Sequence, residues 1–274
     1  MPELPEVETI ARGLRPALEG RGIVSLDIRH AGSVRGGLDA KTLAATVPGR
    51  RILAVSRRAK LLLLTLSDDL ILAFHLKMTG RLHLPAPDEL PDRHTHLIFH
   101  LDNGGRLFFM DMRKFGYCAA LTAGQLQAFP FYAALGPEPL ETSPEDLAGR
   151  LKGRRGRIKA LLLDQTVLAG VGNIYADEAL FRAGLRPDAP ADAVSASRKI
   201  GLMTHVRAVL QEGIDSCGAS IRNYVDARGD AGAFQNTFNV YGRAGQPCPR
   251  CAASLEKMTV AGRTSTFCPR CQHG

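Results

Sequence analysis

The spacing of apolar residues changes period along this chain. In the opening segment Val7, Ile10, Ala11 and Leu14 recur three and four positions apart, as on a helix that buries one face. Pro5 fits a first helical turn, where no amide hydrogen is needed. Glu6 and Glu8 put negative charge at the positive end of the helix dipole. Short apolar runs then follow at 23–28, 52–55, 60–66, 70–76, 97–101 and 106–110. Ser67-Asp68-Asp69 and Asp102-Asn103-Gly104-Gly105 separate two pairs of these runs and read as hairpin turns. Several short strands with tight turns predict two packed sheets, a β-sandwich over 1–135 with the first helix at its flank.

Gly136-Pro137-Glu138-Pro139 interrupts the pattern, and 136–150 reads as a linker. Helical spacing then returns, in segments starting at Pro144 and covering 158–163, 174–183 and 197–211. Residues 213–245 hold little periodicity and several glycines, and read mostly as a long loop of the kind that often carries function. The expected class is α+β: a sandwich, a helical domain over 151–240, and a small module over 241–274.

That last module carries the clearest chemistry. Cys248-Pro-Arg-Cys251 and Cys268-Pro-Arg-Cys271 flank sixteen residues. Two such pairs can place four thiolates tetrahedrally around one Zn²⁺, with a hairpin of 256–260 and 263–267 turning at Ala261-Gly262 between them. The module is too small to fold on apolar burial, so a structural zinc would supply its folding energy. A closed Cys₄ site performs no reaction; it presents its neighbours, and Arg263 stands beside the turn. Disulfides would need an oxidising compartment, whereas the chain shows nothing like a secretory leader and reads as cytosolic. Cys118 lies in an apolar run and reads as a small core residue; Cys217 carries no clear signal.

Charge adds a partner. The net charge is +8, and it is uneven: residues 1–150 hold 18 Lys/Arg against 17 Asp/Glu, while 151–274 hold 17 against 10. A basic half ending in a zinc hairpin fits a phosphate backbone. No apolar run exceeds five residues, far too short to span a membrane.

Pro2 is unusual. Loss of Met1 would expose a secondary α-amine, and such amines titrate near pH 8, well below lysine. That suits a Schiff-base nucleophile, with Glu3 and Glu6 near enough to move protons. Taken alone, the same residues could be no more than a capped helix start.

The rest of the chain decides between these. Met1-Pro-Glu-Leu-Pro-Glu-Val-Glu-Thr9 resembles the N-terminus of formamidopyrimidine-DNA glycosylases. The resemblance continues through Arg57-Arg-Ala-Lys60, His75-Leu-Lys-Met-Thr-Gly80, Asp111-Met-Arg-Lys-Phe-Gly116, Leu135-Gly-Pro-Glu-Pro-Leu140, Gly170-Val-Gly-Asn-Ile-Tyr-Ala-Asp-Glu178, Val240-Tyr-Gly-Arg243 and the four cysteines. It implies a β-sandwich, a helix–two-turn–helix domain and a Cys₄ zinc finger. It also implies a monomeric bacterial repair enzyme, at work on the nucleoid in the cytoplasm. The enzyme would remove oxidised purines such as 8-oxoguanine and formamidopyrimidines from duplex DNA, then cut the abasic strand by β,δ-elimination. By this resemblance Pro2 is the nucleophile, Glu3 the acid/base, and Glu6 its support. Lys60 and Arg263 hold phosphates and aid elimination. His94, Arg113, Arg155, Lys159, Asn173 and Tyr241 contact DNA. Met78, Arg113 and Phe115 fill the gap left by a flipped base.

Gly170-Val-Gly172-Asn173 reads as a tight turn opening a helix capped by Asn173, whose amides would face a phosphate. Met112 stands where the family usually has Pro, and Thr79 lies at a variable position near the lesion pocket, so fine lesion preference is open. Two alternatives remain: an endonuclease VIII-like enzyme for oxidised pyrimidines, against which Leu4 counts because that branch has Gly there, and a non-catalytic zinc-hairpin DNA-binding protein.

Overall fold

The computed structural model describes residues 1–221, 224–227 and 229–274. The chain divides into two compact units, Met1–Ala133 with Ser216–Ala233, and Ala134–Asp215 with Phe234–Gly274.

The first unit opens with helix α1 (Leu4–Leu18), then strand β1 (Ile23–Ile28), β2 (Val34–Gly37), helix α2 (Ala40–Thr46), β3 (Ile52–Arg58), β4 (Leu61–Leu66), β5 (Leu70–His75), β6 (Gly80–His83), β7 (Thr95–Leu101), β8 (Arg106–Asp111), β9 (Tyr117–Leu121), and the short helices α3 (Ala123–Ala128) and α4 (Pro130–Ala133). Two sheets result, with strand orders β1-β7-β8-β6 and β2-β9-β5-β4-β3. The β4–β5 hairpin turns at Asp68 and Asp69, both left-handed at φ 56° and 54°, a conformation that Asp tolerates better than most residues. One continuous core joins the sheets to α1: Val7, Ile10 and Leu14 meet Leu62, Leu64 and Phe74 of one sheet and Phe99 and Phe109 of the other. The far face of the larger sheet buries Leu63, Ala73, Ala119 and Leu121 with Leu126 of α3, and Phe129 and Phe131 pack against them.

Strands β2, β6 and β9 and helix α2 add to the elements expected from sequence. β9 is buried on both faces, so its apolar run lacks alternation. Its neighbour β2 pairs with it in parallel and ends in two glycines, which weakened any strand signal.

In the second unit come α5 (Pro144–Gly149), α6 (Ile158–Leu163), α7 (Asn173–Arg182), α8 (Ala196–Asp215) and the hairpin β10 (Glu256–Val260) and β11 (Arg263–Phe267). The stretch 136–150 is no free linker. Gly136 N donates to Gln165 O at 2.8 Å, Ala169 N donates to Pro137 O at 3.0 Å, and α5 packs on α8. Helix α8 runs to Asp215, past the expected end at 211. The segment Ser216–Ala233 belongs with the sandwich rather than with the helices that flank it in sequence. Among the described residues no helix is long and apolar enough to cross a membrane.

Candidate active site and nucleic-acid interface

The start of α1 is fixed by its own carboxylates. Glu3 caps the helix and forms a reciprocal capping box with Glu6. Glu6 Oε2 accepts from Glu3 N at 2.8 Å, and Oε1 accepts from Ala219 N at 2.9 Å. Both oxygens of this buried carboxylate thus hold backbone amides. Tyr224 Oη donates to Glu6 O at 3.4 Å. Burial first, and then the nearby Glu6 charge, push the Tyr224 phenol well above its usual range, so it stays a neutral donor. Glu3 is buried, Pro2 half-buried and Met1 half exposed.

Lys60 sits in the turn between β3 and β4, after Ala59 at φ 52°, and is buried. The helix is registered against this hairpin by charge. Glu19 accepts from Val55 N at 2.8 Å and Arg15 donates to Val55 O at 2.9 Å. Nearer the helix start, Glu8 pairs with Arg57 at 2.9 Å and Arg12 at 2.8 Å. Moving toward the start of α1 therefore moves along β3 toward Lys60. His75 faces the same end of the sheet. Its burial, then the Lys77 and Lys60 charges, depress its pKa to about 3. The ring is neutral, and its Nδ1 accepts from Lys77 N at 3.1 Å.

Met78, Arg113 and Phe115 come together on two exposed loop tips. Arg113 Nη1 lies 3.0 Å from the Met78 sulfur, and its guanidinium stacks over the Phe115 ring at 5.0 Å. Met78 and Phe115 are 47% and 49% exposed, too open for core residues. The loops tighten through Lys77 and Lys114, both at left-handed φ, and at Gly80, where a Cβ would strike the Leu76 carbonyl. One buried residue ties them: Asp111 accepts from Thr79 Oγ1, from Arg113 N at 3.1 Å and from Gly116 N at 2.6 Å. Neither Asp111 nor Thr79 stands among the residues expected to act, and only their place within the quoted motifs marked them. Met112 is 57% exposed beside this cluster. His94 is half-buried at the start of β7, where its Nε2 accepts from Arg93 Nε at 3.2 Å and its carbonyl accepts from Asp111 N at 2.9 Å.

In the second unit Arg155 and Arg263 are exposed, Arg263 at the start of β11 beside the Ala261-Gly262 turn. Lys159 departs from its expected place on the surface. It is fully buried, with Nζ 2.6 Å from Asp177 Oδ1 and 2.6 Å from Ser265 Oγ. The helical period of α6 turns it inward, and a lysine can remain there only with partners of this kind. Burial pushes Asp177 up to about 6, opposed by the Lys159 charge; Asp177 also accepts from Thr266 N at 3.2 Å.

Asn173 likewise differs. The residue capping α7 is Gly172, and Asn173 is the first helical residue, with Nδ2 donating to Thr264 O at 2.9 Å. Lys159, Asp177 and Asn173 thus all bind β11. Glu178, also buried, gathers the amides of Asn239, Val240 and Tyr241 at 2.9–3.1 Å. It thereby fixes the backbone of half-buried Tyr241, whose ring packs edge-on to Phe238. Nothing in the spacing of Asp177 and Glu178 distinguished these helical acids from solvated ones.

The Sγ atoms of Cys248, Cys251, Cys268 and Cys271 lie within 4.8 Å of one another. Two of the separations are 3.9 and 3.5 Å, near the edge of about 3.8 Å for a ZnS₄ tetrahedron with bonds of about 2.3 Å. Arg250 N and Cys271 N each donate to a thiol sulfur at 3.4 Å, and no cysteine is in a disulfide. The four residues fit one structural zinc.

Known proteins share this plan. Residues 1–118 match the formamidopyrimidine-DNA glycosylase N-terminal domain, 135–225 the H2TH domain of the same proteins, and 245–274 the zinc finger found in FPG and IleRS. The formamidopyrimidine-DNA glycosylase of Chloroflexus aurantiacus is 48% identical over 99% of this chain and 98% of its own, and that of Nitratidesulfovibrio vulgaris 43% identical over 99% and 100%. A crystal structure of a Lactococcus lactis FPG mutant with Fapy-dG containing DNA superposes with a TM-score of 0.92 at 35% identity, covering all of both chains. MutM in complex with DNA containing carbocyclic 8-oxo-G gives 0.91 at 34%, again covering both chains fully. With sandwich, helical region and zinc finger matched in order over the whole length, the chain belongs to the formamidopyrimidine-DNA glycosylase family.

Proposed function

We propose that this protein excises oxidised purines from duplex DNA and cleaves the strand at the resulting abasic sugar, through an imine on Pro2. The observation that carries this reading is the start of α1, where a capping box between Glu3 and Glu6 and the amide of Ala219 on Glu6 fix the backbone at Glu3, directly after Pro2. With Met1 removed, the Pro2 nitrogen attacks C1′ of the damaged nucleotide, the bond from C1′ to the base breaks, and the base leaves with the electron pair. The proton on the Pro2 nitrogen passes to the departing base, and Glu3 protonates the sugar ring oxygen as the C1′–O4′ bond breaks, which leaves an iminium between Pro2 and C1′. Glu3, now a carboxylate, takes a proton from C2′, which expels the 3′ phosphate; loss of a second proton, from C4′, expels the 5′ phosphate. Glu6 has both oxygens committed to amides, so it positions Glu3 and moves no proton itself. Lys60 and Arg263 stabilise the phosphates as charge develops on them.

Met78, Arg113 and Phe115 fill the space of the flipped base, and their mutual contact makes them a single wedge. His94, Arg155 and Tyr241 bind the backbone. Lys159 and Asn173 act from beneath, by holding β11 and so the approach of Arg263. The zinc, when bound, does no chemistry; its four thiolates hold the turn that carries Arg263. The substrate is duplex DNA bearing oxidised bases or abasic sites, bound by a monomer. The curated relatives named above are bacterial proteins, and we place the activity at the nucleoid in the cytoplasm.

Borohydride should trap a covalent adduct between the processed protein and duplex carrying 8-oxoguanine opposite cytosine. Pro2→Gly should weaken trapping, and a blocking N-terminal extension should abolish it. Full trapping with the extension in place would move the nucleophile to a lysine.

A further inference from the structure

Apart from the residues assigned above, the first unit holds a small basic concavity at the joint of its smaller sheet. As the chain leaves β1, Arg29 N and His30 N both donate to His96 O in β7, at 2.8 and 3.3 Å. Beside this joint lies a hollow of about 130 Å³ lined by Arg29, His30, Arg93, Thr95, His96 and Lys114. No acid lines it. The nearest carboxylates serve other groups: Asp92 accepts from His94 N and Thr95 Oγ1, and Asp111 holds the two wedge loops. Arg29 donates to the Asp92 carbonyl at 2.7 Å and Arg93 to a ring nitrogen of His94, so among the described residues neither guanidinium meets a carboxylate. Lys114 is exposed on the wedge loop, with its charge available to the hollow it lines.

His96 supplies a second, independent observation. It is 1% exposed, its Nδ1 lies 2.6 Å from Ser33 Oγ, and its Nε2 is buried with no partner. Its ring packs between His30 at 4.8 Å and Phe109 at 6.3 Å. Burial, then His30, lower its pKa; the Asp111 charge opposes them and Lys114 adds to them, and the net direction is below the usual histidine range, so the ring is neutral. When Ser33 donates to Nδ1, Nε2 carries the hydrogen and lacks an acceptor. A buried donor in a basic hollow is the setting an anion completes.

We propose that this hollow is a phosphate-binding site, separate from Pro2, Glu3 and Lys60, in which Arg29, Arg93 and Lys114 hold the oxygens of one phosphate group and the two imidazoles line its wall. The phosphate belongs either to the backbone of a bound duplex or to free inorganic phosphate. Only the duplex source rests on the proposed function.

Two measurements separate the cases. Inorganic phosphate titrated into the zinc-loaded protein should shift the His30 and His96 imidazole resonances saturably, and the triple variant Arg29→Gln, Arg93→Gln, Lys114→Gln should lose that shift while its remaining spectrum stays that of the folded chain. The slope of log affinity for undamaged duplex against log salt is then compared. A slope smaller by one charge or more in the variant identifies a backbone phosphate; an unchanged slope with the imidazole shift present identifies free phosphate. No saturable shift in wild type, together with an unchanged slope, overturns the site. Imidazole shifts in a protein that cannot cleave damaged duplex would leave the site standing and remove the proposed function.

Discussion

Single residues in this protein act mainly by occupying backbone groups. Glu6 and Glu178 are buried acids that each collect amides from a distant stretch of chain, and buried Asp111 joins the nearby amides of Arg113 and Gly116 to the distant Thr79 hydroxyl. Glu8 does the same work with guanidinium groups. Burial raises its pKa, but the bond to Arg12 and the charges of Arg57, Arg12 and Arg15 outweigh this and leave it below the ordinary value. A lowered carboxylate contributes stability above its unfolded pKa of about 4.3, and that contribution disappears as pH falls through the lower folded value. Glu8→Gln should therefore cost about 1–3 kcal/mol at neutral pH. The gap from wild type in urea denaturation should close below about pH 4. A gap constant from pH 7 to 3 would mean that packing, not charge, links α1 to β3. Of these acids, the sequence revealed the two at the start of α1, because a helix start has a recognisable grammar. It did not reveal Asp111 or Glu178, because an acid buried through partners far along the chain looks locally like a solvated one.

At the scale of elements, the zinc hairpin shows both how much and how little spacing carries. Its strands fall at 256–260 and 263–267 as the cysteine pairs required. Its seat on α6 and α7 was not legible, because Lys159 was expected to contact DNA and nothing in its local sequence marks it as buried. The helical period turns it inward to Asp177 and Ser265 instead. Lys159→Met should cost about 3–5 kcal/mol, since Asp177 is left buried with its charge unpaired. Lys159→Met with Asp177→Leu should recover most of that in a double-mutant cycle followed by urea denaturation. One zinc per chain should remain in both variants. Independent, additive losses would show that the pair is not what seats the hairpin. Strands β2, β6 and β9 escaped for other reasons: β2 and β6 are only four residues long, and β9 is buried on both faces and so does not alternate.

For the whole molecule the uneven charge is the guiding fact. The half from residue 151 onward carries seven more basic than acidic residues, against one more in the first half. Affinity for undamaged duplex should therefore fall steeply with salt. Arg263→Ala should reduce that slope by about one and lower product formation strongly, with the fold unchanged by circular dichroism. An arginine idle in solvent would change neither. The fold class was legible in outline, as a β-rich start and a helical remainder, but the affiliation of Ser216–Ala233 was not. That segment has no period to read, and its place is revealed by its hydrogen bonds to Glu6 and to Leu84 of the sandwich and by Ala227 packing into the sandwich core.

The bond from Ala219 N to Glu6 has a consequence for the order of synthesis. Ribosomes make proteins from the N-terminus, and domains generally fold as their residues emerge. The two sheets and α1 are complete by residue 121, yet the second amide on Glu6 is nearly a hundred residues away. Ala227, which packs into the same core and whose carbonyl accepts from Leu84 N, arrives later still. A nascent chain thus carries Pro2, Glu3 and Glu6 from the first moments of translation but cannot finish the setting around them until the long helix α8 has been made. The start of α1, with the nucleophile proposed above, emerges first and is seated among the last, so a chain released early would carry Pro2 and Glu3 without the amide that completes their surroundings.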